Sequence, residues 1–213
     1  MKKLNLILAG ALSLSAAVGL AQTNTSSAGA GDQGGARPDT AALVKAGTYK
    51  VDPGHTQVVW SVGHMGFSRL YGMVGSMSGT LSLDPARLDQ SRLAVDIPLS
   101  GLTVTSSGFA GHLQTADLFD VAKFPSARFV SHSVTVRGQQ ATIIGDLTLR
   151  GVTKRVVLEA RFYGAGPNPM SKAQTIGFSA KGQLKRSEFG LGYGIPAVSD
   201  LVDLEITAAF ERT

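Results

Sequence analysis

Residues Tyr71–Leu83 read YGMVGSMSGTLSL. Tyr71, Met73, Met77, Leu81 and Leu83 recur at period two, which predicts one extended strand with these side chains on a single apolar face. A strand of 13 residues would run about 40 Å at the usual rise. That is long for a β-sandwich and suits the coiled strand of a closed barrel.

The same alternation spreads outward in both directions. TQVVWSV puts Val58, Trp60 and Val62 on one face, and RLAVDIPL puts Leu93, Val95, Ile97 and Leu99 on one. Phe129 with Val130–Val136 forms a further strand, and ATIIGDLTL aligns Ala141, Ile143, Leu147 and Leu149. Val156 to Phe162, Ile176 to Leu184 and Val202 to Phe210 complete a set of eight, with Glu159, Lys181, Asp203 and Glu205 on the opposite, wet faces. Asp84-Pro85, Arg137-Gly138, Arg150-Gly151 and the stretch Gly164–Pro169 are turn signals between neighbours. Eight antiparallel strands with one apolar face make either a sandwich or a barrel. Closure removes the exposed edges that aggregate, and an eight-stranded barrel is just wide enough to be filled by side chains or to hold one ligand. Gly75, Gly79, Gly145 and Gly182 fall on apolar phases. Each reads as a strand bend or as interior volume left unfilled.

The ends of the chain bound the rest. MKKLNLILAGALSLSAAVGLA, residues 1–21, has a basic start, an apolar run and small residues before Gln22, the pattern of a secretory signal peptide. It falls short of the roughly 20 apolar residues of a stable membrane span. Residues 22–46 contain no aromatic and are rich in Gly, Ala, Ser and Thr, which reads as a flexible tether. One domain, 47–213, remains. It carries 16 basic against 13 acidic side chains, scattered rather than clustered, which argues against a nucleic-acid partner. With no cysteine in the chain, neither a disulfide nor a lipid-anchored lipoprotein is available.

Between Leu99 and Ala127 the strands are interrupted. Ser106 or Ser107 can cap a short helix running to about Leu113. The following Leu118, Phe119 and Phe124 seek apolar contact while Asp117, Asp120 and Lys123 stay wet. Such an insert either closes one end of a barrel or sits on its surface over a small core of its own.

Catalytic signatures are absent from the sequence. The four histidines, His55, His64, His112 and His132, form no metal-ligand spacing, and no G-x-S-x-G or paired nucleophile occurs. The protein is therefore expected not to be an enzyme and to need no metal. Arg186 and Glu188, flanking Ser187, read as a strand-end ion pair worth well under about 1 kcal/mol if exposed.

Taken together, YKVDPGHTQVVWSVGHMGFS, GTLSLDP, HLQTADLFDVAKFPSARFVS, GDLTLRGVTKRVVLEARF and FSAKGQLKRSEFGLGYG resemble the YceI-like family of exported, lipocalin-like polyisoprenoid-binding proteins, from about Tyr49 to Phe210. The resemblance implies an all-β, eight-stranded antiparallel lipocalin-like barrel with a short helical insert. It also implies an apolar tunnel for a long isoprenoid or acyl chain, in a periplasmic or secreted protein that stores or transports that lipid. No cofactor is expected beyond such a bound isoprenoid or fatty-acid-type lipid. Contacts are then expected from Trp60, Val62 and Phe67, from Met73 and Met77, and from Phe109, Leu113 and Phe119 of the insert. Phe129, Phe162 and Phe178 would add to them, with His64 at the rim offering a hydrogen bond to a head group. Met65 and Phe67 would fringe the mouth, a patch through which two copies could meet as a homodimer. The competing expectation is a non-catalytic stress or protein-interaction module with a packed core. Gly79→Leu is expected to separate the two, blocking a tunnel in one case and overpacking a full core by about 1–3 kcal/mol in the other.

Overall fold

The computed structural model describes residues 35–213, so the signal-peptide stretch and most of the tether lie outside the described residues. Ten antiparallel strands follow in chain order: β1 (Gly47–Val51), β2 (Gln57–His64), β3 (Ser68–Val74), β4 (Ser78–Leu83) and β5 (Arg92–Pro98). After the insert come β6 (Ser126–Arg137), β7 (Gln140–Leu149), β8 (Val152–Pro167), β9 (Gln174–Lys185) and β10 (Leu201–Arg212). Among the described residues no helix is long and apolar enough to cross a membrane.

The ten strands occupy eight places in a closed barrel. β1 pairs with the end of β10, Tyr49 opposite Arg212, while β2 pairs with its beginning, Ser61 opposite Asp203. β1 and β2 thus lie end to end along one edge of β10. β4 continues β3 in the same way, β3 pairing with β2 and β4 with β1. β4 then pairs with β5, and an unbroken succession to β10 closes the ring. The break in the first place falls at Asp52–Thr56, where Pro53 removes a ladder donor. Thr56 repairs the ladder with its side chain: its hydroxyl donates to the Ala209 carbonyl at 3.1 Å and accepts the Ala209 N–H at 3.0 Å.

The second break corrects the reading of Tyr71–Leu83 as one strand. Ser76 takes a positive φ of 55°, and the chain kinks at Gly75–Met77. A one-residue shift reverses which face every side chain takes. Leu70, Gly72 and Val74 point inward before the kink and Leu81 and Leu83 after it, which leaves Tyr71 and Met73 on the outer face. Three of the four glycines on apolar phases, Gly79, Gly145 and Gly182, leave no interior volume, whereas Gly75 falls in the kink itself. A side chain at Gly79, whose φ is 151°, would strike the backbone of Ala94 on β5, so Gly79→Leu would break the sheet rather than plug a tunnel. Gly145 and Gly182 lie beneath the side chains of Phe129 and Leu158.

The insert closes a gap in the wall. β5 reaches β4 but not β3, so the outer edge of β3 would be bare. Thr103 covers it, its N–H donating to the Met73 carbonyl at 2.8 Å and its carbonyl accepting the Met73 N–H at 2.9 Å. Helix α1 (Ser107–Gln114) follows, capped as expected by the Ser106 side chain, which accepts the Phe109 N–H at 3.4 Å. Arg150, in the β7–β8 turn, donates to the carbonyls of Ala116 at 2.5 Å and Gly190 at 2.7 Å, tying the insert to the loop before β10.

At the other end of the barrel the last part of the stretch read as tether is structured. Residues Pro38–Leu43 form a 3₁₀ turn against β8. The Arg37 N–H donates to the Tyr163 carbonyl at 2.6 Å, and the buried Thr40 hydroxyl accepts the Ala165 N–H at 2.8 Å. Hydrogen bonds to the edge of β8, one from the Arg37 backbone and one to the Thr40 side chain, hold a segment whose composition gives no sign of them.

Candidate functional site

The interior divides into a filled half and a hollow half. At the end where the chain enters β1, Tyr49, Ile176 and Phe210 are buried, and the Phe178 ring packs edge-on against Phe162 and Phe210 at 6.1 and 6.2 Å. Tyr49 donates its phenol proton to the Lys45 carbonyl at 2.6 Å, so its polar tip is satisfied. Toward the β2–β3 hairpin, the barrel instead holds a cavity of about 1130 Å³. Its walls are inward residues of β2 and β6–β10, among them Val58, Leu147, Leu158, Leu204 and Ile206. Along one side stands the insert, through Leu102, Phe109, Leu113 and Phe119. Polar groups on the wall gather at the mouth: His64, Arg69, His112, Arg186 and the edge of Tyr193. His112 of α1 meets Tyr193 edge-on with ring centroids 4.9 Å apart, joining the insert to the far lip.

Of the residues expected to line a tunnel, seven do: Trp60, Val62 and His64 on β2, Phe109 and Leu113 on α1, then Phe119 and Phe129. The other five lie elsewhere. Phe67 is the tip of the β2–β3 hairpin and 91% exposed; Met73 is turned outward by the kink and 38% exposed. Met77 is buried in the wall beside the kink, and Phe162 and Phe178 belong to the filled half. Sequence reading passed over Val58, Leu158, Leu204 and Ile206 as wall residues, although each sits on an apolar phase it had identified. Period two gives the face of a side chain but not whether a partner meets it across the barrel.

Arg186 corrects another expectation. It is 6% exposed, without an ion pair to Glu188. Its guanidinium donates to the carbonyls of Ser199 at 2.8 Å, Tyr193 at 2.8 Å, Val198 at 2.9 Å and Leu191. Burial pushes its pKa down, with Asp200 opposing that push; an arginine nevertheless keeps its proton at neutral pH. The buried charge thus serves as the hub on which the lip from Leu191 to Ser199 is wound. Asp200 fixes the root of the same loop, accepting the Ser187 N–H and hydroxyl, both at 2.8 Å. These two hydrogen bonds hold its carboxyl below the ordinary aspartate range. Ser199 zips the loop to β2, its N–H donating to the Gly63 carbonyl and its hydroxyl accepting the Gly63 N–H, both at 2.9 Å. Near the rim, Arg69 pairs with Asp203, which also accepts from Gln183 at 2.6 Å; these bonds lower the Asp203 pKa.

The architecture is that of closed antiparallel β-barrels, here packed at one end and hollow and apolar at the other. Within that class, residues 49–210 match the YceI-like domain, and the chain belongs to the YceI-like family. A UPF0312 protein of Pseudomonas fluorescens is 36% identical over 171 residues, which are 79% of this chain and 88% of that protein. Burkholderia cenocepacia BcnA superposes with a TM-score of 0.67 at 22% identity, covering 75% of this chain and 98% of BcnA. A polyisoprenoid binding domain from Saccharophagus degradans, implicated in plant cell wall breakdown, superposes at 0.60 with 13% identity, over 79% of this chain and all of that domain. At these identities the two structures attest the fold.

Proposed function

We propose that the protein is a non-catalytic carrier that holds one long isoprenoid or acyl chain with its polar end at the His64 mouth. The observation that carries this reading is the cavity. About 1130 Å³ exceeds the roughly 300–1,000 Å³ of ordinary ligand pockets, and its deep wall is hydrocarbon. An apolar void of this kind disfavours water, which finds too few polar partners there. A chain entering it gains about 0.8 kcal/mol per methylene, enough to outweigh immobilisation after part of its length is buried. His64, His112 and Tyr193 lie where such a ligand would end, and offer hydrogen bonds to a carbonyl, carboxylate or phosphate. The polyisoprenoid binding named for the Saccharophagus domain, which shares this barrel, supports the same ligand class. The amino-terminal sequence supports a carrier working outside the inner membrane, for storage or transport.

The test is native mass spectrometry of protein purified from its own host, followed by organic extraction. An adduct that extracts as a prenyl or acyl lipid supports the carrier. Protein that emerges empty and takes up neither prenyl quinones nor fatty acids overturns it.

A further inference from the structure

Strand register locates the bottom of the cavity. Trp60, Leu204, Gly182 and Leu158 stand at one level, paired in turn across β2, β10, β9 and β8. One level further from the mouth are Val58, Ile206, Ala180 and Ala160, and there Val58 and Ile206 still form cavity wall. The next level is Ala208, Phe178 and Phe162, none of which does. Bulk therefore arrives abruptly. Two alanines sit directly above two phenylalanines on β8 and β9, and Phe178 is the middle ring of the three that pack edge to face with Phe162 and Phe210.

We infer that Phe178, backed by Phe162, is the floor that sets how long a chain the cavity accepts. This rests on the carrier reading above and adds a determinant of specificity to it. Every methylene that enters the hollow half strengthens binding about fourfold. Once the tip of the chain meets the Phe178 ring, a further methylene must stay in water or displace a ring pinned by two aromatic neighbours. Affinity plotted against chain length then rises steeply and breaks at the length that reaches the floor. Ala180, one step nearer the mouth, marks where a larger side chain would raise that floor.

The full chain, stripped of lipid, is titrated with saturated fatty acids graded in length. The signal is the fluorescence of Trp60, the single tryptophan of the chain and part of the cavity wall. Phe178→Leu is expected to shift the break to longer acids and Ala180→Leu to shorter ones, with short acids bound as by the wild type. A variant that merely loosens the fold weakens all lengths together and leaves the break in place. Breaks at the wild-type length in both variants overturn the floor while leaving the carrier standing. A wild-type protein that binds no acid and no prenyl alcohol removes both.

Discussion

Near the mouth, β8, β9 and β10 turn Leu158, Leu184 and Leu204 inward; toward the far end the same strands turn Phe162, Phe178 and Phe210 inward. The backbone is alike in both halves, and so is the alternation. What differs is reach. The phenylalanines touch one another, whereas the aliphatic side chains leave about 1130 Å³ between them. On these three strands the change from aliphatic to aromatic side chains marks where the hollow half gives way to the filled one.

The sharpest challenge to this contrast is a pair of truncations. Phe210→Ala in the filled half should cost about 3–5 kcal/mol, because it removes a fully packed ring and leaves a hole. Leu204→Ala should cost less than about 2 kcal/mol, since one side of Leu204 already faces open space. Urea unfolding of both variants measures the difference, and equal losses would dissolve the distinction between the halves. Arg186→Met comes next, at about 2–4 kcal/mol, because it strands several carbonyls of the lip without a donor. Its far-end packing should survive, so hydrogen exchange ought to rise at Leu191–Ser199 and stay slow around Tyr49.

Smaller effects follow at the mouth. The Asp200 carboxyl has a lowered pKa in the fold, so its stabilisation is complete above the ordinary aspartate range and is lost as pH falls through the lowered value. Melting temperature measured down the acid limb should therefore drop more steeply for the wild type than for Asp200→Asn. Smallest of all, Phe67→Ser and Met73→Gln should leave stability within about 0.5 kcal/mol and leave lipid uptake unchanged, since both side chains are outside the cavity. Loss of uptake by Met73→Gln would show that β3 turns its other face inward when loaded.

Much of this was legible from residue order. Period two located the strands, most of their inward faces and the interruption after Leu99, and the serine pair Ser106–Ser107 announced its helix, of which Ser106 is the cap. Three features were hidden for physical reasons. The reversal at Ser76 depends on one backbone torsion in Gly-Ser-Met, a sequence that tolerates either phase. The hub role of Arg186 depends on carbonyls up to thirteen residues away, so the sequence alone shows only a charge at a strand end. The eight strands counted from alternation omitted Gly47–Val51 and fused β3 with β4 in phase as well as in place; the barrel of eight emerged because broken strands share positions. For the site, alternation named wall candidates on both halves alike, and only the distance across the barrel separates Trp60 and Phe129 from Phe162 and Phe178.

The bridge between Met73 and Thr103 has one more consequence. Every strand-to-strand joint of this barrel carries at least three paired residues, but between β3 and the insert a single reciprocal pair of hydrogen bonds spans the joint. Along that joint the insert is held to β3 by side-chain packing, with Leu102 and Leu113 buried, more than by backbone hydrogen bonds. Deuterium should accordingly enter the Thr103 amide long before it enters the neighbouring staves.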